Sequence, residues 1–129
     1  MRVLASLIAG AMALLAHPAH AGPPPRKTPE LLEIGRVSFK LNCASCHGPR
    51  GEGDGVSAAS LDPRPRNFVT EPFEHGATVA RIFRTLEEGV AGTAMIAFTF
   101  LPEEERWALA YYVLELRARG KAAGKGSTK

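Results

Sequence analysis

The sequence predicts an all-α domain in which three main helices are joined by long loops. Three observations support this prediction. Apolar residues recur at helical spacing in three segments, and no segment alternates convincingly as a half-buried strand would. The segment 48–76 is rich in glycine and proline, which neither a helix nor a central strand accommodates. The chain of 129 residues is also short enough to form a single domain.

The first predicted helix covers residues 29–42. Thr28 is a suitable N-cap, and Pro29 fits the first helical position because its backbone nitrogen has no proton to leave unpaired. One face of this helix is defined by residues spaced four apart: Leu31, Gly35 and Phe39. A glycine inside a helix is costly, so Gly35 requires a packing explanation.

The second predicted helix covers residues 78–88 and ends at Gly89, which suits a left-handed stop. The third covers residues 102–119, with glutamates in its first turn, arginines in its last turn and Gly120 just beyond. Its predicted apolar stripe consists of Trp107, Ala110, Tyr111 and Leu114.

The N-terminal 21 residues are typical of an export signal that is cleaved from the mature protein. Arg2 supplies a positive charge, residues 3–16 form an apolar run, and Ala19-His20-Ala21 matches a cleavage site. The apolar run is shorter than the roughly 20 residues that a membrane span needs. We therefore expect an extracytoplasmic protein, periplasmic in a bacterium, with no integral membrane span after cleavage.

The remaining chain divides by composition into three parts. Residues 22–28 are a proline-rich linker, 29–119 form the domain, and 120–129 are a basic tail that we expect to be flexible. Removing Arg2 leaves 15 basic and 13 acidic side chains, a formal charge of 15 − 13 = +2. Because basic and acidic residues are interleaved, the charge gives no support for nucleic acid as a partner. A soluble monomer is expected.

The chemistry is concentrated in Cys43-Ala44-Ser45-Cys46-His47, which is the C-x-x-C-H attachment sequence for a c-type haem. Two thiols at this spacing can form thioethers with the two vinyl groups of one porphyrin. His47 is then carried beneath the ring, where an imidazole nitrogen can bind the iron. The sequence predicts one covalent haem c, with Cys43, Cys46 and His47 as its binding residues.

Three other interpretations of the two cysteines are weaker. A disulfide closing so short a ring would add little stability. A thioredoxin-like pair needs a strand and crossover pattern that the sequence does not show. A zinc site lacks ligands, because after signal removal only Cys43, Cys46, His47 and His75 remain as soft or imidazole donors.

The sixth iron ligand is predicted to be Met95, the only methionine outside the signal segment. It lies in Gly92-Thr93-Ala94-Met95, a loop flexible enough to turn a thioether toward a ring. A lone methionine in an apolar loop is often core filling. His75 is the competing ligand, and a bis-histidine site would have a lower potential.

These features together resemble the class I cytochromes c, in particular short bacterial carriers with a haem domain like subunit III of cbb3 oxidase. The resemblance covers residues 28–116 and rests on Gly35 and Phe39 before the haem motif, the motif itself, the Met95 loop, and Trp107 and Tyr111 in the last helix. It implies the cytochrome c fold, with long loops wrapped around the haem and a close crossing of the first and last helices at Gly35.

The resemblance also implies details of the site. A proline carbonyl, from Pro63 or Pro65, would accept the second ring N–H of His47 and so orient the ligand. Relatives often start the last helix with a serine or threonine cap, whereas this chain has Leu101-Pro102. Arg64 and Arg66 are candidates for pairing with a haem propionate, although both could equally be solvated loop residues.

An iron with both axial positions filled by His47 and Met95 has no open position for a substrate. We therefore expect an electron carrier rather than an enzyme, moving single electrons between larger redox proteins. Two alternatives remain open at this stage. One is a five-coordinate haem domain that binds a gas or peroxide, and the other is a haem subunit of a larger oxidoreductase complex.

Overall fold

The computed structural model describes residues 22–126, so the predicted signal segment and the last three residues lie outside the described part. Within that range there are four α-helices, one short 3₁₀ helix and no strand, which confirms the all-α prediction. The helices are α1 (Pro29–Asn42), α2 (Ala44–His47), α3 (Val79–Glu88) and α4 (Glu103–Gly126), and the 3₁₀ helix is Ala58–Ser60.

The helices α1 and α4 cross in close contact at Gly35. A Cβ atom at this position would overlap the carbonyl oxygen of Ala108 and lie 2.9 Å from Cβ of Tyr112. One turn further along α1, the ring of Phe39 packs against that of Tyr112 with centroids 5.4 Å apart. The predicted crossing at Gly35 is confirmed. The aromatic residue of α4 at this crossing is Tyr112, whereas the predicted apolar stripe contained Tyr111.

The helix α4 differs from its predicted limits at both ends. It begins at Glu103, and the carbonyl of Pro102 accepts the first backbone bond from Arg106. It continues to Gly126, so the prediction that it ends at Arg119 is wrong. Gly120 is a contact residue rather than a stop, because a Cβ there would lie 2.7 Å from a γ-methyl group of Val69.

The helix α3 packs against the first half of α4. The rings of Phe83 and Trp107 stack at 3.7 Å between centroids, and both side chains are buried. Thr78 caps α3 by accepting from the backbone of Arg81, and Gly89 ends it with a φ of 69°. The helix therefore stops where the sequence predicts and starts one residue later, because Thr78 serves as its cap.

The proline-rich segment before α1 lies along α4. The hydroxyl of Tyr111 donates to the carbonyl of Pro25 at 2.7 Å, and Lys27 pairs with Glu115 at 3.0 Å. Tyr111 therefore points toward the N-terminal segment instead of the α1 crossing. Within residues 22–126, no helix combines the length and the apolar composition that crossing a bilayer requires.

Candidate haem site

The C-x-x-C-H motif occupies the sharp junction between α1 and α2. Cys43 follows the last residue of α1, and α2 carries Cys46 and His47 within its single turn. The two sulfurs are not joined in a disulfide. Burial raises the pKa of the Cys43 thiol to about 12, and the neighbouring Cys46 adds to this. The Cys43 thiol is thus neutral and faces an apolar interior.

The glycine-rich loop after α2 folds back along the motif. The backbone N–H groups of Gly53, Gly55 and Ser57 donate to the carbonyls of His47, Cys46 and Ser45, at 2.8, 3.1 and 2.9 Å. These bonds satisfy carbonyls that the end of a short helix would otherwise leave unpaired. A Cβ at position 55 would overlap the Ser45 carbonyl oxygen, so only glycine allows this approach.

His47 is buried and held on two sides. Its Nδ1–H donates to the backbone carbonyl of Arg66 at 3.1 Å, and its ring stacks on Phe68 with centroids 4.5 Å apart. Burial lowers the pKa of His47, and the positive charge of Arg66 adds to this, while the bond to the carbonyl opposes it. The neutral imidazole is therefore favoured, and its Nε2 is the nitrogen left to bind a metal.

This geometry corrects the expected orienting contact. The acceptor for His47 is the carbonyl of Arg66, whereas Pro63 or Pro65 was expected. The carbonyl of Pro65 instead faces Gly53, whose Cβ would lie 2.6 Å from that oxygen. The loop thus runs one residue beyond Pro65 before it reaches the imidazole.

The predicted haem residues converge on one cleft. Cys43, Cys46, His47 and Met95 all line it. Most of the remaining wall is apolar and comes from α1, the loops, α3 and α4, including Phe39, Phe68, Ile82, Leu86, Phe98 and Leu109. Two thiols, one imidazole and one thioether around an apolar cleft form a donor set that fits a haem c.

Met95 is placed by the loop between α3 and α4. The backbone N–H of Met95 donates to the hydroxyl of Thr93 at 3.0 Å, and that hydroxyl donates to the carbonyl of Val90 at 2.8 Å. The Met95 carbonyl accepts from the Val90 backbone at 2.9 Å. Met95 packs against the hydrophobic core, whereas His75, which also lines the cleft, is exposed.

The two arginines proposed as propionate partners differ in their surroundings. The guanidinium of Arg66 donates to the carbonyl of Pro72 and pairs with Glu74 at 2.8 Å. Arg64 is exposed at the cleft and forms no ion pair with any residue in the described part of the chain. Arg64 is thus the better placed of the two for a carboxylate of the cofactor.

Several side chains that shape the site were not singled out from the sequence. Asn42 lines the cleft and donates to the Ser38 carbonyl at 2.9 Å, Phe68 supports His47, and Thr93 holds the Met95 loop. Their positions next to the motif and the ligand loop were the available signals. In residues 22–126, no group of three or more His, Cys, Asp or Glu side chains could hold a metal ion.

An all-α fold whose first helix leads into a C-x-x-C-H motif facing an apolar cleft defines a c-type haem domain. The family model described as cytochrome c matches residues 32–117. The chain belongs to the cytochrome c family, and its domain binds haem c covalently. Haem-based electron transfer is the function that this membership assigns.

A solved structure similar to the chain is a component of the reducing HAO-like protein complex of Kuenenia stuttgartiensis. The two are 35% identical with a TM-score of 0.68. The similarity covers 74% of this chain and 47% of the other, so this chain spans less than half the length of that neighbour. No curated protein matches the sequence.

Proposed function

We propose that the chain is an exported monohaem electron carrier whose haem is attached through Cys43 and Cys46 and ligated by His47 and Met95. The observation that carries this proposal is the convergence of these four side chains on one apolar cleft. When bound there, the iron takes up or releases one electron at a time. The partners would be larger redox proteins, a donor and an acceptor.

The structure supports Met95 over His75 through the way each is held. Four hydrogen bonds among Val90, Thr93 and Met95 fix the backbone around the thioether. His75 is exposed, with a glutamate and a glycine on either side of it. A ligand that stays in place when the metal changes charge needs such a fixed backbone.

The cleft walls contribute by excluding water and by keeping the ligands in place. Phe39, Phe68 and Phe98 are all less than a tenth exposed, and they line the cleft together with Leu109. A rigid apolar surround limits rearrangement on a change of charge and favours the reduced state. The chain's own role is thus positioning and desolvation, with no acid–base residue required.

The test is a pair of optical spectra and a mass measurement on protein purified from cells that mature c-type cytochromes. A covalent mass increase of one haem and a red-end ferric band typical of methionine ligation are expected. Met95→Ala should abolish that band, lower the potential and allow the reduced protein to bind CO rapidly. Rapid CO binding by the unaltered protein would instead indicate a five-coordinate haem.

The matched control is His75→Ala, which should leave the band and the potential unchanged. Two results would contradict the proposed ligand set. One is a methionine-like band that persists in Met95→Ala, and the other is a bis-histidine spectrum that disappears in His75→Ala. Replacing both Cys43 and Cys46 by alanine should yield colourless, poorly folded protein, because so small a domain needs the cofactor as part of its core.

Export is proposed from residues 1–21 alone. Cell fractionation should place the coloured protein outside the cytoplasm, with Gly22 as its N-terminal residue. Coloured protein that retains Met1 would contradict cleavage after Ala21.

A second candidate, that the chain is the haem subunit of a larger oxidoreductase complex, is favoured by one observation. The similar solved chain is a component of a protein complex. Size-exclusion chromatography of the native protein from its source distinguishes the two. Elution as a single chain, whose polypeptide is 13.8 kDa before cleavage, supports a free carrier, whereas co-elution with a larger redox protein supports the subunit.

A further inference from the structure

Residues 66–74 form a compact segment next to His47 that is held together by two arginine side chains. We call this segment, together with the side chain of Arg117, the clasp. Its first residue supplies the carbonyl that accepts from His47. What fixes the clasp therefore also fixes the contact that orients the imidazole.

The side chain of Arg66 ties the start of the clasp to its end. One guanidinium nitrogen donates to the carbonyl of Pro72 at 2.7 Å, and another pairs with Glu74 at 2.8 Å. Glu71 lies 3.7 Å from the same guanidinium. Because the side chain and the carbonyl belong to one residue, these contacts limit the movement of the backbone that carries the carbonyl.

The peptide that follows Arg66 is restricted from its other side. The side-chain oxygen of Asn67 accepts from the backbone of Val69 at 2.9 Å and of Thr70 at 3.1 Å, which forms a tight turn. The N–H of Phe68 donates to the carbonyl of Gly51 at 2.7 Å. The clasp is thereby joined to the glycine-rich loop behind the haem motif.

Arg117 joins the clasp to the long helix α4. Its guanidinium donates to the carbonyls of Phe68 at 2.6 Å and Glu71 at 2.8 Å, and it lies 4.9 Å from the ring centre of Phe73. Arg117 therefore binds the backbone of the clasp at two points. The rigid helix thus supports the segment that carries the Arg66 carbonyl.

We propose that Arg66 and Arg117 are positioning residues that set the reduction potential, by holding the Arg66 carbonyl against the Nδ1–H of His47. The inference rests on the proposed role of His47 as an iron ligand. A hydrogen bond from the second ring nitrogen increases electron donation from the first toward the metal. It therefore stabilises the oxidised iron and lowers the potential.

A purely electrostatic role for Arg66 would have the opposite consequence. Removing a positive charge near the iron stabilises the oxidised state and lowers the potential, whereas loosening the His47 contact raises it. The guanidinium is a third exposed and already faces Glu74 and Glu71. Screening by water and by these carboxylates makes the charge effect the smaller one.

The test uses Arg66→Met in the haem-loaded protein, with Arg50→Met as the matched control. Arg50 forms an exposed pair with Glu52 in the same region of the chain, and its side chain makes no hydrogen bond or ion pair with the clasp. Two quantities are measured: the midpoint potential, and the exchange rate of the His47 Nδ1–H in the reduced protein by NMR. Arg66→Met should raise the potential and speed exchange at least tenfold, and Arg50→Met should change neither.

Arg66→Lys keeps the charge without the planar fork, so it should shift both quantities in the same direction by a smaller amount. A potential that falls in Arg66→Met, or an exchange rate within twofold of the unaltered protein, would overturn the proposal. If Arg66→Met does not accumulate as folded protein, Glu74→Gln serves as the second variant and should speed exchange of the His47 Nδ1–H. An unchanged exchange rate in Glu74→Gln would overturn the proposal equally.

The same spectra separate this proposal from the proposed function. If the His47 ring protons lack the large ring-current shifts of an axial ligand, the ligand assignment fails. If those shifts are present and Arg66→Met leaves the exchange rate unaltered, only the clasp proposal fails.

Discussion

Replacing Gly35 by alanine tests the helix crossing on which the cleft depends. An added Cβ would overlap the Ala108 carbonyl oxygen and lie 2.7 Å from its carbonyl carbon. Both are backbone atoms of a buried helix, so neither can move aside as a side chain could. Restoring a contact of 3.4 Å would require α1 and α4 to separate by roughly 1 Å locally.

Two opposing effects set the change in the free energy of unfolding that Gly35→Ala causes. Alanine in place of glycine inside a helix stabilises by about 1 kcal/mol. Overpacking costs about 1–3 kcal/mol, and the upper end applies where backbone blocks relaxation. The net destabilisation should be about 2 kcal/mol, which lowers Tm by about 10 °C for a domain of this size.

The assay is thermal unfolding of the haem-loaded protein followed by far-ultraviolet circular dichroism. Gly124→Ala is the matched control, because position 124 lies in α4 and a Cβ added there would have no atom within 4 Å. It should leave Tm unchanged or raise it slightly through helix propensity. A Gly35→Ala protein as stable as the unaltered one would refute the close crossing.

Two further changes test the ligand loop and the N-terminal segment. Thr93→Val removes two hydrogen bonds that hold the Met95 backbone, together worth about 1–2 kcal/mol. CO binding to the reduced protein should therefore become about tenfold faster. The control Thr99→Val, at an exposed position of the same loop, should leave the CO-binding rate unchanged. Lys27 holds the pKa of Glu115 below its ordinary value of 4.5. The resulting stability is present above pH 4.5 and is lost as pH falls through the lowered pKa. Glu115→Gln should therefore cost less than about 1 kcal/mol at neutral pH and nothing in strong acid, measured by urea unfolding.

Local signals predicted the helix starts and the C-x-x-C-H junction well. Thr28 caps α1 as expected, because a side-chain hydroxyl near a free N–H is a contact within four residues. Thr78, predicted as the first residue of α3, caps that helix in the same way. The glycine at 35 pointed to the α1–α4 crossing, since its cost inside a helix implied a close neighbour.

Tertiary contacts decided what the sequence could not. Gly120 resembles a helix stop, yet its role is to admit Val69, and α4 continues for six residues beyond it. Tyr111 and Tyr112 are adjacent aromatic residues of equal helix propensity. Tyr112 faces α1 because it lies one turn after Ala108, which meets Gly35, whereas Tyr111 donates to the Pro25 carbonyl of the N-terminal segment.

The Arg66 carbonyl that orients His47 shows why such a site is built from loops and not from one motif. A backbone acceptor carries no sequence signature, so the choice between Pro63, Pro65 and Arg66 depends on how far the loop runs before it turns. That distance is set by the Phe68 N–H on the Gly51 carbonyl and by the close approach of Gly53 to the Pro65 carbonyl. The glycine-rich loop therefore has two functions at once, since it covers the carbonyls of α2 and fixes the register of the segment that orients the imidazole. A side chain at position 53 should for this reason displace the Pro65 carbonyl, and with it the neighbouring Arg66 carbonyl that accepts from His47.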